Sequence, residues 1–268
     1  MVMLQGIKLL RPMNRGVTRP LLVLADDGNS YVVKLQSNPL GCKVLVNEFL
    51  AKELGQKLQL CFPPGDLIAF DPAIAAGLSR QLRQPVALTE HFASQFLPKA
   101  YYVTARSASG AVNRREMAGI LFFDHLFHNF DRTRNRRNLL LCREKTGARI
   151  YAIDHSHLFY RGRWQVESLL RQAEKIVLNS FGLYGFLLRE ILYPADFLPY
   201  EERFCSLTDR DFCEMIQKIP AAWAISSLER QALALFLIKR RALAKDIVAA
   251  LCRLIPDRHR RTDEGKAK

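Results

Sequence analysis

Apolar and polar positions follow two different rhythms along this chain. In the first hundred residues the apolar runs are short. Leu21-Leu-Val-Leu-Ala25 and Tyr31-Val-Val-Lys34-Leu35 are separated by Asp26-Asp-Gly-Asn29, and an Asp-Gly pair between apolar runs is a strong hairpin signal because glycine accepts a positive φ without steric cost. The pattern predicts a β-hairpin that ends near Lys34. After the breaker Asn38-Pro-Leu-Gly41, apolar residues recur at helical spacing at Val44, Leu45, Phe49, Leu50 and Leu54. A helix over Lys43 to Leu58 is expected, with Glu48 beside its apolar stripe. From Cys61 to about Ala100, Phe62-Pro-Pro-Gly and Phe70-Asp-Pro interrupt short runs that fit strands without fixing their bounds.

From Asn113 the rhythm becomes helical. Asn113 followed by Glu116 resembles a capping box, and it opens a segment to about Asn129 that is apolar nearly all round: Met117, Ile120, Leu121, Phe122, Phe123, Leu126, Phe127. A helix of that kind is buried in a core. Leu139-Leu-Leu-Cys142 and Ile150-Tyr-Ala-Ile153 read as a second hairpin, with Asn138 and Asp154 at its ends. Further helices are expected over Val166 to Leu178, Thr208 to Ile219 and, opened by a Ser226/Glu229 capping box, Ser226 to Ile255, where Pro256 stops the run. Strands first and helices second predict an α+β protein of two lobes. The expected division is a strand-rich lobe over 1–100, a helical lobe over 101–256 and a mobile basic tail over 257–268.

Composition changes this picture in two ways. Of the 268 residues, 49% are apolar, enough to build a sizeable core. No apolar run approaches the roughly 20 residues that a spanning helix needs, and Met1 to Leu10 lacks the apolar region of a signal peptide. The six cysteines, Cys42, Cys61, Cys142, Cys205, Cys213 and Cys252, show neither a C-x-x-C pair nor ligand spacing, which fits reduced thiols in a cytoplasmic protein. The net charge of +14 favours an anionic partner. Part of it is concentrated between Arg132 and Arg149, where Arg132, Arg134, Arg136, Arg137, Arg143, Lys145 and Arg149 face Glu144 alone.

The two hairpins and the two helices place polar residues in an order that suits phosphoryl transfer, a reaction that depends on positioning and charge neutralisation more than on covalent chemistry. Lys34 supplies a positive charge for phosphate oxygens, and Glu48 would keep its flexible ammonium pointing inward. Asp131, after the buried helix, can reach a cleft and orient or deprotonate a hydroxyl. Asn138 and Asp154 offer hard oxygen ligands of the kind magnesium takes alongside substrate phosphates. Arg132, Arg134, Arg136 and Arg137 follow Asp131 and are candidates to receive an acidic or phosphorylated substrate.

Taken together, Gly16-Val-Thr-Arg-Pro20, Tyr31-Val-Val-Lys34, Val46-Asn-Glu48, Asn129-Phe-Asp131-Arg132, Asn138-Leu-Leu and Ile153-Asp154-His-Ser resemble the HipA-like kinase family, part of the protein-kinase-like superfamily, over about residues 8 to 165. The resemblance implies a bilobal kinase fold with ATP and magnesium between the lobes and a protein Ser or Thr as acceptor. It also implies that Lys34, with Gly16, Thr18 and Arg19, contacts the nucleotide, that Asp131 is the catalytic base, and that Asn138 with Asp154 holds metal. Two departures stand out. There is no G-x-G-x-x-G, and the position five after Asp131, where kinase loops carry a metal-binding Asn, is Arg136. Asn138 takes that role because it directly precedes the strand, with Asn135 as the substitute.

Two other readings fit parts of the pattern. His125, His128, His155 and His157 flank the acidic motifs, and with Asp131 and Asp154 they could form a transition-metal phosphohydrolase site. Alternatively, a kinase-like fold without catalysis would use its basic surface to bind nucleic acid or an acidic partner.

Overall fold

The computed structural model describes residues 3–13 and 16–257. It opens with β1 (Leu4–Pro12), β2 (Leu21–Ala25) and β3 (Ser30–Lys34), the last two joined through Gly28 at φ +80°. The predicted hairpin forms with Leu21 opposite Val33 and Leu24 opposite Ser30. Helix α1 (Lys43–Leu58) has the predicted bounds. The segment without fixed bounds contains β4 (Gly65–Phe70), α2 (Pro72–Leu82) and β5 (His91–Gln95). Asp71 caps α2, its carboxylate accepting from Ile74 N, and Pro72 at the first helical position has no N–H to leave unpaired.

The five strands close into a barrel in the order β1-β2-β3-β5-β4, the closing pair β1 and β4 running parallel. At that closure Gly6 lies opposite Phe70, whose ring leaves no room for a Cβ. Leu21, Val23, Val33, Ile68, Phe70 and Ala93 fill one hydrophobic cluster with Leu78 of α2.

The rest is mostly helical. After β6 (Tyr101–Tyr102) and α3 (Ala105–Ser109) comes α4 (Met117–Leu126), then the short α5 (Asp131–Arg134). Strands β7 (Leu139–Glu144) and β8 (Gly147–Ala152) join β6 in a three-stranded sheet. Helices α6 (Val166–Ala173), α7 (Gly182–Glu190), α8 (Leu198–Ser206), α9 (Asp209–Gln217), α10 (Ser227–Ala242) and α11 (Ala244–Cys252) complete the described chain. No helix among the described residues is long and apolar enough to cross a membrane. Residues 258–268 of the expected tail lie outside the described residues.

Several boundaries differ from the sequence pattern for identifiable reasons. Asn113 does not cap a helix. Its amide instead clamps β8, donating to Ile150 O (2.9 Å) and accepting from Ile150 N (2.8 Å), so α4 starts only at Met117, after a 3₁₀ turn over Arg114–Glu116. The β7/β8 strands run further than the apolar residues alone suggest, because Glu144 still pairs with Gly147. The long C-terminal run breaks at Leu243 into α10 and α11, although the Ser226/Glu229 capping box is present as expected. Helix α6 stops at Ala173, where its last carbonyl is taken by a side chain from α10.

That side chain is Arg240, fully buried, which donates to His125 O (2.9 Å), Leu126 O (2.8 Å), Ala173 O (3.3 Å) and Lys175 O (2.6 Å). A cation thus caps the C-terminal ends of α4 and α6, where unpaired carbonyls and the helix dipoles are negative. Burial pushes the guanidinium down to about 10, still charged at neutral pH. Arg240→Met leaves these carbonyls without their donor and should cost about 2–4 kcal/mol. A fall in the urea midpoint at unchanged slope is the expected signature; an unchanged midpoint would mean that the carbonyls find water instead.

Candidate functional site

Lys34 is the last residue of β3, and strand alternation puts its side chain on the face opposite Val33 of the barrel core, toward the helical part of the chain, where it is 8% exposed. Its ammonium pairs with Glu48 Oε1 from α1 and with Asp154 Oδ1 at 2.8 Å. Glu48 Oε1 also accepts from the backbone N of His155 at 3.0 Å. One glutamate thus ties the barrel lysine to the segment that follows β8. Next to it, Asn47 donates to Ser156 O and Gly162 O and accepts from Trp164 Nε1. Helix α1 therefore fixes that segment at both ends through consecutive residues.

Asp154 adopts φ +58°, a left-handed conformation that aspartate tolerates better than most residues, two residues beyond β8. Its Oδ1 accepts from Lys34 Nζ, Ser156 N (3.3 Å) and Ser156 Oγ (2.6 Å). Burial opposes ionisation, but the charge and hydrogen bond of Lys34, with the Ser156 bonds, hold the carboxyl well below the usual carboxylate range. For Glu48 the balance goes the other way. Burial, with Asp154 adding to it, pushes this carboxyl up to about 7 against the pull of Lys34. For Lys34, burial acts against the charge, and the two carboxylates more than offset it and raise the ammonium.

Asn138 immediately precedes β7, and Ile153 N donates to Asn138 O at 3.0 Å, which sets the two ends of the β7/β8 hairpin side by side. Asn138 Nδ2 donates to Asp131 Oδ2 (2.8 Å), and Asn135 Nδ2 donates to Asn138 Oδ1 (3.2 Å). Both asparagines weighed for one role are therefore adjacent, with Asn138 the one bonded to Asp131. Asp131 heads the short α5, with its side chain 26% exposed.

These residues border a cleft of about 310 Å³. Lys34, Glu48, Asn135, Asn138 and Asp154 line one end, and Val32, Phe92, Leu140 and Ile153 give apolar walls. The loop between β1 and β2 contributes Gly16 and Thr18 to the lining, but Arg19 is not part of it, and Asp131 stands beside it rather than in it. Gly16, at φ +102°, accepts from Arg19 N in the turn of that loop.

Arg132 corrects the sequence reading. It was expected among the substrate-receiving arginines, yet it is 2% exposed. Its Nε donates to Asp124 Oδ2 (2.8 Å), its Nη1 to Asn138 O (2.7 Å) and Ile153 O (2.6 Å), and its Nη2 to His155 Nδ1 (3.1 Å). Asp124, buried in α4, also accepts from Asn129 Nδ2 (2.9 Å) and from the Tyr184 hydroxyl. Arg132 thus holds the backbone beside both proposed metal residues. The signal for it lay in Asp124, a lone acid in a helix expected to be buried all round, which needs a cation. The basic run divides accordingly: Arg149 pairs with Glu116 at 2.5 Å, Arg137 lines the cleft, and Arg143 and Lys145 are exposed at the hairpin turn. The side chains of Arg134 and Arg136 lie outside the described residues.

The histidines do not assemble into a transition-metal centre. Among the described residues no group of three His, Cys, Asp or Glu side chains is placed to hold a metal ion. His125 Nδ1 donates to Leu121 O (2.6 Å) while its Nε2 accepts from Asn179 N (3.1 Å). His128 lies against Gln172 and Lys175 O, and burial pushes it down to about 4. His155 is likewise kept neutral, first by burial and then by the Arg132 charge that it accepts from. Asn138 and Asp154, both in the cleft lining, present hard oxygen atoms there, of a different kind from the imidazoles.

The family model described as HipA-like kinase matches residues 7–245 of the chain. Among solved structures the chain is similar to the Helicobacter pylori proinflammatory kinase CtkA, at 12% identity and a TM-score of 0.59, with 100% of each chain covered. It is also similar to the Golgi casein kinase with Mn/ADP bound, at 14% identity and a TM-score of 0.49, covering 95% of this chain and 74% of that one. None of the curated proteins matches the chain.

Proposed function

Because the chain belongs to the HipA-like kinase family, we propose that it transfers the γ-phosphoryl of ATP to a protein Ser or Thr hydroxyl, in a magnesium-dependent reaction, at the cleft between a nucleotide-binding lobe over 1–100 and a helical lobe over 101–256. The observation that carries this reading is that Lys34, Glu48, Asn138 and Asp154, from four separate segments, line a single cleft, with Asp131 bonded to Asn138 beside it.

In this reading the apolar walls of Val32, Phe92, Leu140 and Ile153 take the adenine, and Gly16 and Thr18 cover the phosphates. Lys34, already positioned by Glu48, turns its charge from Asp154 to the phosphate oxygens. Asn138 and Asp154 would hold magnesium, which when bound neutralises charge on the transferring phosphates. Asp131 Oδ2 is held by Asn138, so the acceptor hydroxyl is met by a fixed carboxylate that takes its proton. The bond from the γ-phosphorus to the bridging oxygen breaks, its electrons leave with ADP, and the acceptor oxygen takes its place.

Calorimetric titration with ATP tests this directly. Binding should require magnesium, and Asp154→Ala should weaken it by about tenfold or more, since both a metal ligand and the Lys34 partner are lost. Binding of equal strength with and without magnesium, or unaffected by Asp154→Ala, sinks the assignment. No binding at all would favour the alternative, a kinase-like basic module for nucleic acid or an acidic partner.

A further inference from the structure

The cleft is lined by two carboxyl side chains, Glu48 and Asp154, and by two cationic ones, Lys34 and Arg137. Lys34 is bonded to both carboxyls, so its ammonium is matched before any ligand arrives. Arg137 is not. It is exposed, and among the described residues no carboxylate lies within ion-pair distance of its guanidinium. The turn that carries it is braced: Asn138 N donates to Asn135 O (3.1 Å), Arg137 N to Asn135 Oδ1 (3.2 Å) and Asn135 Nδ2 to Asn138 Oδ1 (3.2 Å). Asn135, Arg137 and Asn138 all border the cleft, so one 3₁₀ turn over Arg136–Asn138 presents the arginine next to a proposed metal residue. From the barrel side, the loop between β1 and β2 lends Gly16 and Thr18 to the lining but no cation.

We propose that Arg137 is a nucleotide-binding residue: its guanidinium takes phosphate oxygens of ATP from the helical side of the cleft, supplying charge that a β1–β2 loop without G-x-G-x-x-G does not. The inference rests on the reading of the cleft as the ATP site, and it places Arg137 at the nucleotide instead of at the acceptor. Without Arg137, the polyphosphate would meet one ammonium set against two carboxyls, a lining that offers an anion no net attraction. Lys34 must exchange a carboxylate for a phosphate to bind, whereas Arg137 sheds only water. Its planar fork of N–H donors fits two phosphate oxygens at once, and charge-assisted bonds of that kind are the strong ones.

The test is calorimetric titration of the purified full chain with MgATP and, separately, with adenosine, no acceptor being present. Arg137→Ala should weaken MgATP binding about tenfold and change adenosine binding less than about twofold, because adenosine carries no phosphate. Arg137→Lys keeps the charge but not the fork, and should bind MgATP about threefold more weakly than the parent. Raising the ionic strength should weaken MgATP binding more in the parent than in Arg137→Ala. Both variants should keep the parent Tm, since the side chain is exposed. Equal MgATP affinity in the parent and Arg137→Ala overturns the inference and returns Arg137 to the acceptor; an equal loss for MgATP and adenosine overturns it too, because the arginine would then shape the pocket and not hold phosphate. The two readings fail separately: if the parent binds MgATP and Arg137→Ala binds it as well, only the role of Arg137 falls, whereas a parent that does not bind MgATP removes the nucleotide site and Arg137 together.

Discussion

Asp131→Asn should lower turnover by about 10²–10⁴-fold while leaving ATP affinity within about threefold of the parent. Asparagine keeps the size of the side chain and an oxygen for Asn138 Nδ2 to donate to, so the local bond at 2.8 Å is preserved. What it removes is the capacity to take a proton. Asp131 stands beside the cleft lined by Lys34, Asn138 and Asp154 rather than in it, which is why nucleotide binding should be spared. The loss corresponds to about 3–5 kcal/mol of barrier, the range expected for one general base. Parallel turnover and calorimetry on the same preparation separate the outcomes. If affinity falls as far as turnover, Asp131 belongs to the nucleotide site; if neither changes, the base lies elsewhere.

Much of this site was legible in the sequence because its residues lie next to strong local signals. Lys34 ends a strand announced by Asp27-Gly28, and Glu48 sits in a helix whose apolar spacing is unambiguous. Asn138 and Asp154 flank a hairpin written as two apolar runs. What the sequence did not reveal depends on partners far apart in the chain. The parallel β1/β4 pairing that closes the barrel joins Leu4 to Ile68, and nothing local encodes such a register. Helix α7 was missed because Gly182 and Gly185 dilute its helical signal, and α8 because Pro199 falls within its first turn, where a proline is tolerated.

The arginines show the same limit in sharper form. Arg132 sits in a run that looks like a solvated basic loop, and the run remains so at Arg143 and Lys145. Charge patterning reports what a segment contains and says nothing of which side chain turns inward. Burial is decided by Asp124, eight residues earlier, and by the two hairpin carbonyls that only the fold brings within reach. The polar network behind the site is therefore less visible in the sequence than the site itself.

Removing that network should have the largest effect on stability. Arg132→Leu leaves Asp124 with Asn129 and Tyr184 as its side-chain partners among the described residues and takes the guanidinium from Ile153 O and from Asn138 O, which keeps Ile153 N alone, so a loss of about 3–5 kcal/mol is expected. Combining it with Asp124→Leu removes the uncompensated charge, and part of the stability should return, because a buried ion pair replaced by apolar side chains of similar volume is often nearly neutral. Turnover should not return with it. The carbonyls of Asn138 and Ile153 still lack the guanidinium that bridges them, and the Ile153 N–Asn138 O bond alone holds the hairpin ends, so the alignment of Asn138 and Asp154 loosens in the single and the double variant alike. Urea midpoints and turnover, measured on the single variants and the pair, therefore separate two roles of one residue. Recovery of both quantities together in the double variant would reduce Arg132 to a counter-ion for Asp124.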